Sequence, residues 1–146
     1  MGSYDYVRRR SREVNIGGIP LGGDNPVRIQ SMTNTSTMDT EGSVAQCRRI
    51  AEAGADYVRL TAQGVREAEN IGVVRRLLRD AGTDVPLVAD IHFNPKAAFA
   101  AAVVTDKVRI NPGNFVDPGR TFKKLEYTDE EYAAELKRIE DAFVPF

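Results

Sequence analysis

At 146 residues, with 42% hydrophobic and 28% charged side chains, the chain has the makeup of one ordinary globular domain rather than a disordered segment. A formal net charge of −1 argues against a general nucleic-acid partner or a membrane surface. No apolar run approaches the roughly 20 residues needed to span a bilayer, and a single cysteine excludes an internal disulfide or a multi-cysteine metal site.

Residues 1–12 read as a solvated arm. Its basic run Arg8-Arg9-Arg10 and Arg12 leads into no hydrophobic stretch of the kind a signal peptide carries, so the protein is expected to be cytoplasmic. Then Val14 and Ile16 alternate with polar residues, Gly17-Gly18 can turn, and Ile19 and Leu21 follow. The pattern predicts a small β-hairpin.

Next comes strand, loop and helix, four times over. "PVRIQSMT" (26–33) predicts a strand and about 40–53 a helix, with Val44, Cys47, Ile50 and Ala51 on its apolar side and Gly54 as its stop. Cys47 on that side is a core thiol rather than a nucleophile. "ADYVRLTA" (55–62) is the second strand, and its helix over about 66–81 keeps Ile71, Val74, Leu77 and Leu78 on one side. "VPLVADIHF" (85–93) is the third strand. Asn94-Pro95 then supplies a cap and a first-turn proline for an alanine-rich helix to about 104. "DKVRINPGN" (106–114) is the fourth strand and its turn. After a long connection Thr128 and Glu131 form a capping box, opening a helix expected to bury Tyr132, Leu136, Ile139 and Phe143.

Strands alternating with helices in this way form a parallel α/β sheet with right-handed crossovers. Val58 and Leu60 share one face of the second strand while Tyr57 and Arg59 share the other. Val108 and Ile110 likewise oppose Lys107, Arg109 and Asn111, and Val27 and Ile29 oppose Arg28 and Gln30. An apolar outer face and an inner face that turns polar toward the carboxyl end suit a (β/α)8 barrel better than an open doubly wound sheet. A full barrel takes about 250 residues, so four βα units read as the N-terminal half of one, spanning 13–146.

Ligands of parallel βα folds bind at the carboxyl ends of the strands. Gathered there are Gln30, Met32, Thr33 and Asn34, then Arg59, then Asp90, His92 and Asn94, and finally Arg109 and Asn111. Two arginines from separate strands suit a phosphate, to which planar guanidinium groups donate paired hydrogen bonds. The competing reading is internal pairing, with Asp90 neutralising Arg59 or Arg109. No second histidine exists to make a metal site with His92. Lys107 shares the arginine parity but lies early in its strand, away from the mouth.

The stretches "VRIQSMTNTSTMDT", "AGADYVRLT", "VPLVADIHFNP" and "VRINPGN" closely resemble, in this order and spacing, the 4-hydroxy-3-methylbut-2-enyl diphosphate synthase family. The following "NFVDPGRTFKKLEYTDEEYAAEL" looks like the longer form, which carries an extra central domain. The resemblance implies reductive ring opening and dehydroxylation of 2-C-methyl-D-erythritol 2,4-cyclodiphosphate in isoprenoid biosynthesis. It implies Arg59 and Arg109 on the diphosphate, with Gln30, Thr33, Asn34, Asp90, His92 and Asn111 lining the pocket. It also implies a [4Fe–4S] cluster on a C-terminal domain, reduced by ferredoxin or flavodoxin. The three cluster cysteines and the ligating glutamate are missing, and Cys47 matches none of them. The expectation is an N-terminal fragment that binds no cluster, does not turn over substrate alone and self-associates through its open edges. Without the resemblance, a phosphate- or pterin-binding barrel of transferase or aldolase type, or a non-catalytic interaction module, would stay open.

Overall fold

The computed structural model describes residues 9–116 and 126–146. Most of the expected arm, with Arg8, lies outside the described residues, as does most of the long connection before the last helix.

The hairpin forms from β1 (Val14–Ile16) and β2 (Ile19–Leu21), paired antiparallel with Ile16 opposite Ile19. Its two-residue loop needs positive φ twice, and Gly17 (φ 57°) and Gly18 (φ 92°) supply it. A side chain at Gly17 would also place its Cβ 2.7 Å from Cγ of Pro86. The hairpin therefore lies directly against the start of the sheet. Ile16 packs with Tyr57 and Val88, Ile19 and Leu21 close around them, and the Tyr57 hydroxyl donates to the Ile19 carbonyl at 3.2 Å. These contacts plug the amino-terminal end of the strands.

Four parallel strands follow in spatial order β3 (Gln30–Met32), β4 (Tyr57–Ala62), β5 (Leu87–Ile91) and β6 (Lys107–Arg109). Each joins the next through a helix: α1 (Thr40–Glu52), α2 (Val65–Asp80) and α3 (Pro95–Ala102). Chain order equals spatial order, as in successive units of a barrel wall. The caps are those the sequence signals: Asp39 accepts from the Gly42 N–H, and Asn94 from the Ala97 N–H ahead of Pro95.

The core lies between the sheet and these helices. Val58, Leu60 and Ala62 of β4 and Leu87, Ala89 and Ile91 of β5 meet Cys47 of α1, Ile71, Val74 and Leu78 of α2, and Ala97, Ala98 and Ala101 of α3. At 25 cal/mol per Å², each fully buried Leu or Ile here contributes about 1.5–3 kcal/mol. Small residues set the helix spacing. A Cβ at Gly72 of α2 would stand 2.9 Å from Cβ of Val104, so the two helices pass close only without it.

Two expectations need correction. The first strand is shorter than 26–33: Val27 is 94% exposed and Ile29 63% exposed, so neither faces a helix core. Residues 26–29 precede β3 outside any strand, with the Ile29 carbonyl accepting from the Asp56 and Tyr57 N–H groups. The Arg28 Nε–H donates to the Pro20 carbonyl and the Ile29 N–H to the Asp56 carboxylate, tying this segment to the hairpin and the β4 entry. The other correction concerns α4 (Asp129–Phe143). Its capping box forms as expected, but Tyr132 and Leu136 are 56% and 49% exposed. Only its carboxyl end docks, where Phe143 and Phe146 pack on Phe115 with ring centroids 5.1 and 5.2 Å away. Ile139, between Leu136 and Phe143, is half-buried.

Candidate active-site mouth

Parallel register sorts the inward side chains into rows. Met32, Arg59, Val88 and Lys107 occupy one row, and Thr61, Asp90 and Arg109 the next row toward the carboxyl ends. Arg109 thus lies beside Asp90, while Arg59 starts one row lower and reaches up. Both arrive at the same carboxylate. Arg109 Nη1 donates to Asp90 Oδ1 at 3.1 Å, and Arg59 Nη2 to Oδ2 at 2.9 Å. His92 Nε2 stands 3.1 Å from the same Oδ2.

The Asp90 side chain is only 1% exposed, whereas Arg59, Arg109 and His92 keep 29%, 42% and 44% of their side chains open. A buried carboxylate at the centre therefore presents a basic rim to solvent. Two guanidinium groups against one carboxylate leave one positive charge in excess. Each guanidinium carries five N–H donors and spends one on Asp90. Among the described residues the buried Arg59 Nε–H has no acceptor, an arrangement that costs about 1–3 kcal/mol. The rim can hold an anion without losing its internal anchor.

The other expected pocket residues are dispersed. Gln30 is opposite Tyr57, two rows below Asp90, because β3 begins there instead of ending there. Thr33 is buried, and its N–H donates to the Arg59 carbonyl at 2.9 Å, closing β3 onto β4. With Asn34, Thr37, Thr61, Gln63 and Glu67 it lines a cleft of about 360 Å³ at the same end of the sheet. Asn34 is engaged with Gln46, which donates to its Oδ1 at 2.6 Å. Asn111 accepts from the Gly113 N–H and so caps the 3₁₀ turn Pro112–Asn114. Asn94 is spent as the α3 cap, with its amide donating to the Gln63 carbonyl at 3.1 Å. Lys107 sits a row below Arg109, consistent with its early place in the strand.

One feature of the mouth escapes sequence reading. Phe93, between His92 and the Asn94 cap, has φ of 55°. A bulky residue in the left-handed region is a true outlier, and such strain clusters at ligand sites. An asparagine or glycine would have signalled it, and neither is there.

The model of the GcpE TIM-barrel domain matches residues 11–139 of this chain. The chain belongs to the GcpE TIM-barrel family. Among relatives of that kind, the 4-hydroxy-3-methylbut-2-en-1-yl diphosphate synthase (flavodoxin) of Bacteroides fragilis is 66% identical over all 146 residues, which are 23% of its length. The protein of the same description from Phocaeicola vulgatus is 65% identical over the whole chain, 24% of its own length. That from Akkermansia muciniphila is 51% identical over 142 residues, 97% of this chain and 24% of its own. The chain thus spans about a quarter of the length of the curated relatives it matches. A dihydropteroate synthase of Xanthomonas albilineans matches in structure with a TM-score of 0.54 and 22% identity, over 90% of this chain and 59% of that one. That likeness speaks for the barrel fold alone. For a GcpE TIM-barrel domain, strand order and inward rows are those of a barrel wall opening at its carboxyl end.

Proposed function

We propose that this chain is the substrate-binding wall of a 4-hydroxy-3-methylbut-2-en-1-yl diphosphate synthase, acting on 2-C-methyl-D-erythritol 2,4-cyclodiphosphate. The observation that carries the reading is the convergence of Arg59 and Arg109 on one buried carboxylate, with spare donors and one positive charge in excess. In this reading the guanidinium groups grip the diphosphate, Asp90 holds them in place, and His92 borders the sugar-derived part. Phosphate contacts of this kind are bidentate and charge-assisted. Thr33 and Asn34, which line the adjoining cleft, complete the proposed pocket together with Asn111 and with Gln30, two rows below Asp90.

The [4Fe–4S] cluster of the expected chemistry does not fit the residues of this chain. Such clusters are held largely by cysteine thiolates, while the single cysteine, Cys47, is buried in the helix core. Among the described residues no group of three or more His, Cys, Asp or Glu side chains is placed to hold a metal. In the proposal the cluster belongs to another part of a longer enzyme, and flavodoxin or ferredoxin supplies electrons there. Flavodoxin is the carrier in the relatives' descriptions. The chain alone is accordingly proposed to bind but not to turn over. Among the described residues β3 and β6 are the outer strands of the sheet, and their open edges are the basis for the proposed self-association. Among the described residues no helix is long and apolar enough to cross a membrane.

Calorimetric titration of inorganic pyrophosphate into the chain tests the anion site. Binding that weakens with added salt and is lost in Arg109→Ala is the expected result. Heat that is absent, or unaffected by salt and by Arg109→Ala, removes the diphosphate reading.

A further inference from the structure

We infer that Asp90 fixes His92 as the Nε2–H tautomer and so leaves Nδ1 as the nitrogen offered to a ligand, an acceptor for a hydroxyl of a phosphorylated polyol. The tautomer follows from the local chemistry alone. The ligand half rests on the anion-site reading of the mouth given above.

Both Asp90 oxygens accept from guanidinium groups, Oδ1 from Arg109 and Oδ2 from Arg59. A carboxylate held in that way has only lone pairs to offer its third neighbour. His92 Nε2, 3.1 Å from Oδ2, must therefore carry the hydrogen. In the neutral ring one nitrogen donates and the other accepts, and in that form Nδ1 is the acceptor. Among the described residues Nδ1 has no hydrogen-bond partner, and the side chain is 44% exposed.

The backbone fixes this orientation on both sides of His92. Upstream, β5 ends at Ile91, whose neighbours on the helix side are core. Downstream, Phe93 turns through φ of 55°, and Asn94 is clamped by the Ala97 N–H and the Gln63 carbonyl. Carboxylate-oriented imidazoles of this kind are how a histidine's tautomer is set elsewhere in proteins. Asp90 is on this account a positioning residue and His92 the group that meets the ligand. The arginines take phosphate oxygens, which are acceptors. A neutral Nδ1 beside them takes a hydroxyl hydrogen, so the pair of sites selects a ligand carrying both.

His92 is the only histidine of the chain, so its ring nitrogens give unambiguous signals in long-range ¹H–¹⁵N correlation spectra. In the ¹⁵N-labelled chain, with the ring neutral, a single tautomer is expected. The ε2 nitrogen should be pyrrole-type with a directly observed N–H proton slow to exchange, and δ1 should be pyridine-type. Asp90→Asn should lose that proton signal and average the two nitrogens. Should this variant unfold, the wild-type spectrum decides alone. A δ1–H tautomer, or an averaged pair, in the wild type overturns the inference. For the ligand half, glycerol 3-phosphate should move the δ1 resonance, while inorganic pyrophosphate moves the Arg59 and Arg109 side-chain signals and leaves δ1 pyridine-type. Protonation of δ1 on adding pyrophosphate, or arginine shifts without a δ1 shift on adding glycerol 3-phosphate, overturns the acceptor role. Failure of pyrophosphate to bind with the tautomer intact would instead count against the anion site.

Discussion

Asp90 and Arg109 are register partners on neighbouring parallel strands, and their side chains meet at 3.1 Å although only 1% of the Asp90 side chain is exposed. Arg59 reaches the same carboxylate from one row below. The ion pairs therefore tie β4, β5 and β6 together near their carboxyl ends. This makes the proposed binding rim part of the stability of the fold.

Removing the shared carboxylate should therefore be expensive. Losing one partner of a fully buried pair costs about 3–5 kcal/mol. The arginines are partly open to water, which screens them, so Asp90→Ala should cost about 2–3 kcal/mol. Urea denaturation checks this through a lowered midpoint at unchanged slope. Arg109→Ala leaves Arg59 on the carboxylate and should cost less. Equal losses in the two variants would contradict a carboxylate shared by both arginines.

Phe93 should reverse the usual ranking of alanine over glycine. Its left-handed φ of 55° costs a residue with a Cβ about 1–2 kcal/mol, and glycine avoids most of that. The side chain itself is 58% exposed and buries little. Phe93→Gly should thus exceed Phe93→Ala in stability by about 1 kcal/mol. Thermal melts of the two variants decide it, and an alanine variant that melts higher would show that Phe93 is unstrained.

The approach of α2 to the end of α3 makes a third expectation. Gly72→Ala places a methyl 2.9 Å from Cβ of Val104. That atom is fixed to the backbone, so the helices must part. The strain should outweigh alanine's helix preference of about 1 kcal/mol and leave a net loss of about 1 kcal/mol, from the about 1–3 kcal/mol typical of overpacking. Gly72→Ala combined with Val104→Ala should recover only part of it, since Cγ1 and Cγ2, at 3.2 and 3.4 Å, are gone but the Cβ at 2.9 Å remains. Chemical denaturation of the single and double variants provides the test.

The sequence makes the helices and their caps readable because their signals are local. Asn94-Pro95, Thr128 with Glu131, and the spacing of Ile71, Val74 and Leu78 each act within a turn or two of helix. The barrel wall was legible from the alternation in β4 and β6. Register was not, because it depends on how neighbouring strands slide past one another. Gathering Gln30 with Arg109 at one end of the sheet ignored that slide, and the register leaves Gln30 two rows below Asp90. The exposed faces of Val27, Ile29, Tyr132 and Leu136 have a related cause. An apolar stripe states that a residue can be buried, but the element that buries it must also be present to face it. Pairing of Asp90 with Arg59 or Arg109 stood as one of two opposed readings, and one carboxylate shared by both arginines was not foreseen. The geometry allows internal pairing and a remaining positive rim at once.

Cys47 provides the pH-dependent expectation. Burial pushes its thiol from an ordinary 9.0 up to about 12, because the thiolate would lose its hydration inside the helix core. The unfolded chain thus releases this proton near 9.0 and the folded chain only near 12. Ionisation consequently favours the unfolded state throughout that interval. The stabilisation is fully present below 9.0 and declines as pH rises toward 12. Other alkaline groups titrate as well, so the readout is the difference between the wild type and Cys47→Ala. Filling the site with alanine costs stability at neutral pH through the lost contacts, but that cost should shrink as pH climbs past 9.0. In parallel, a thiol-specific reagent at neutral pH should label Cys47 at a rate that follows unfolding, rising with urea. Rapid labelling of the native protein, or a pH-independent difference between the two proteins, would show that the thiol is reachable from water and the core around it open.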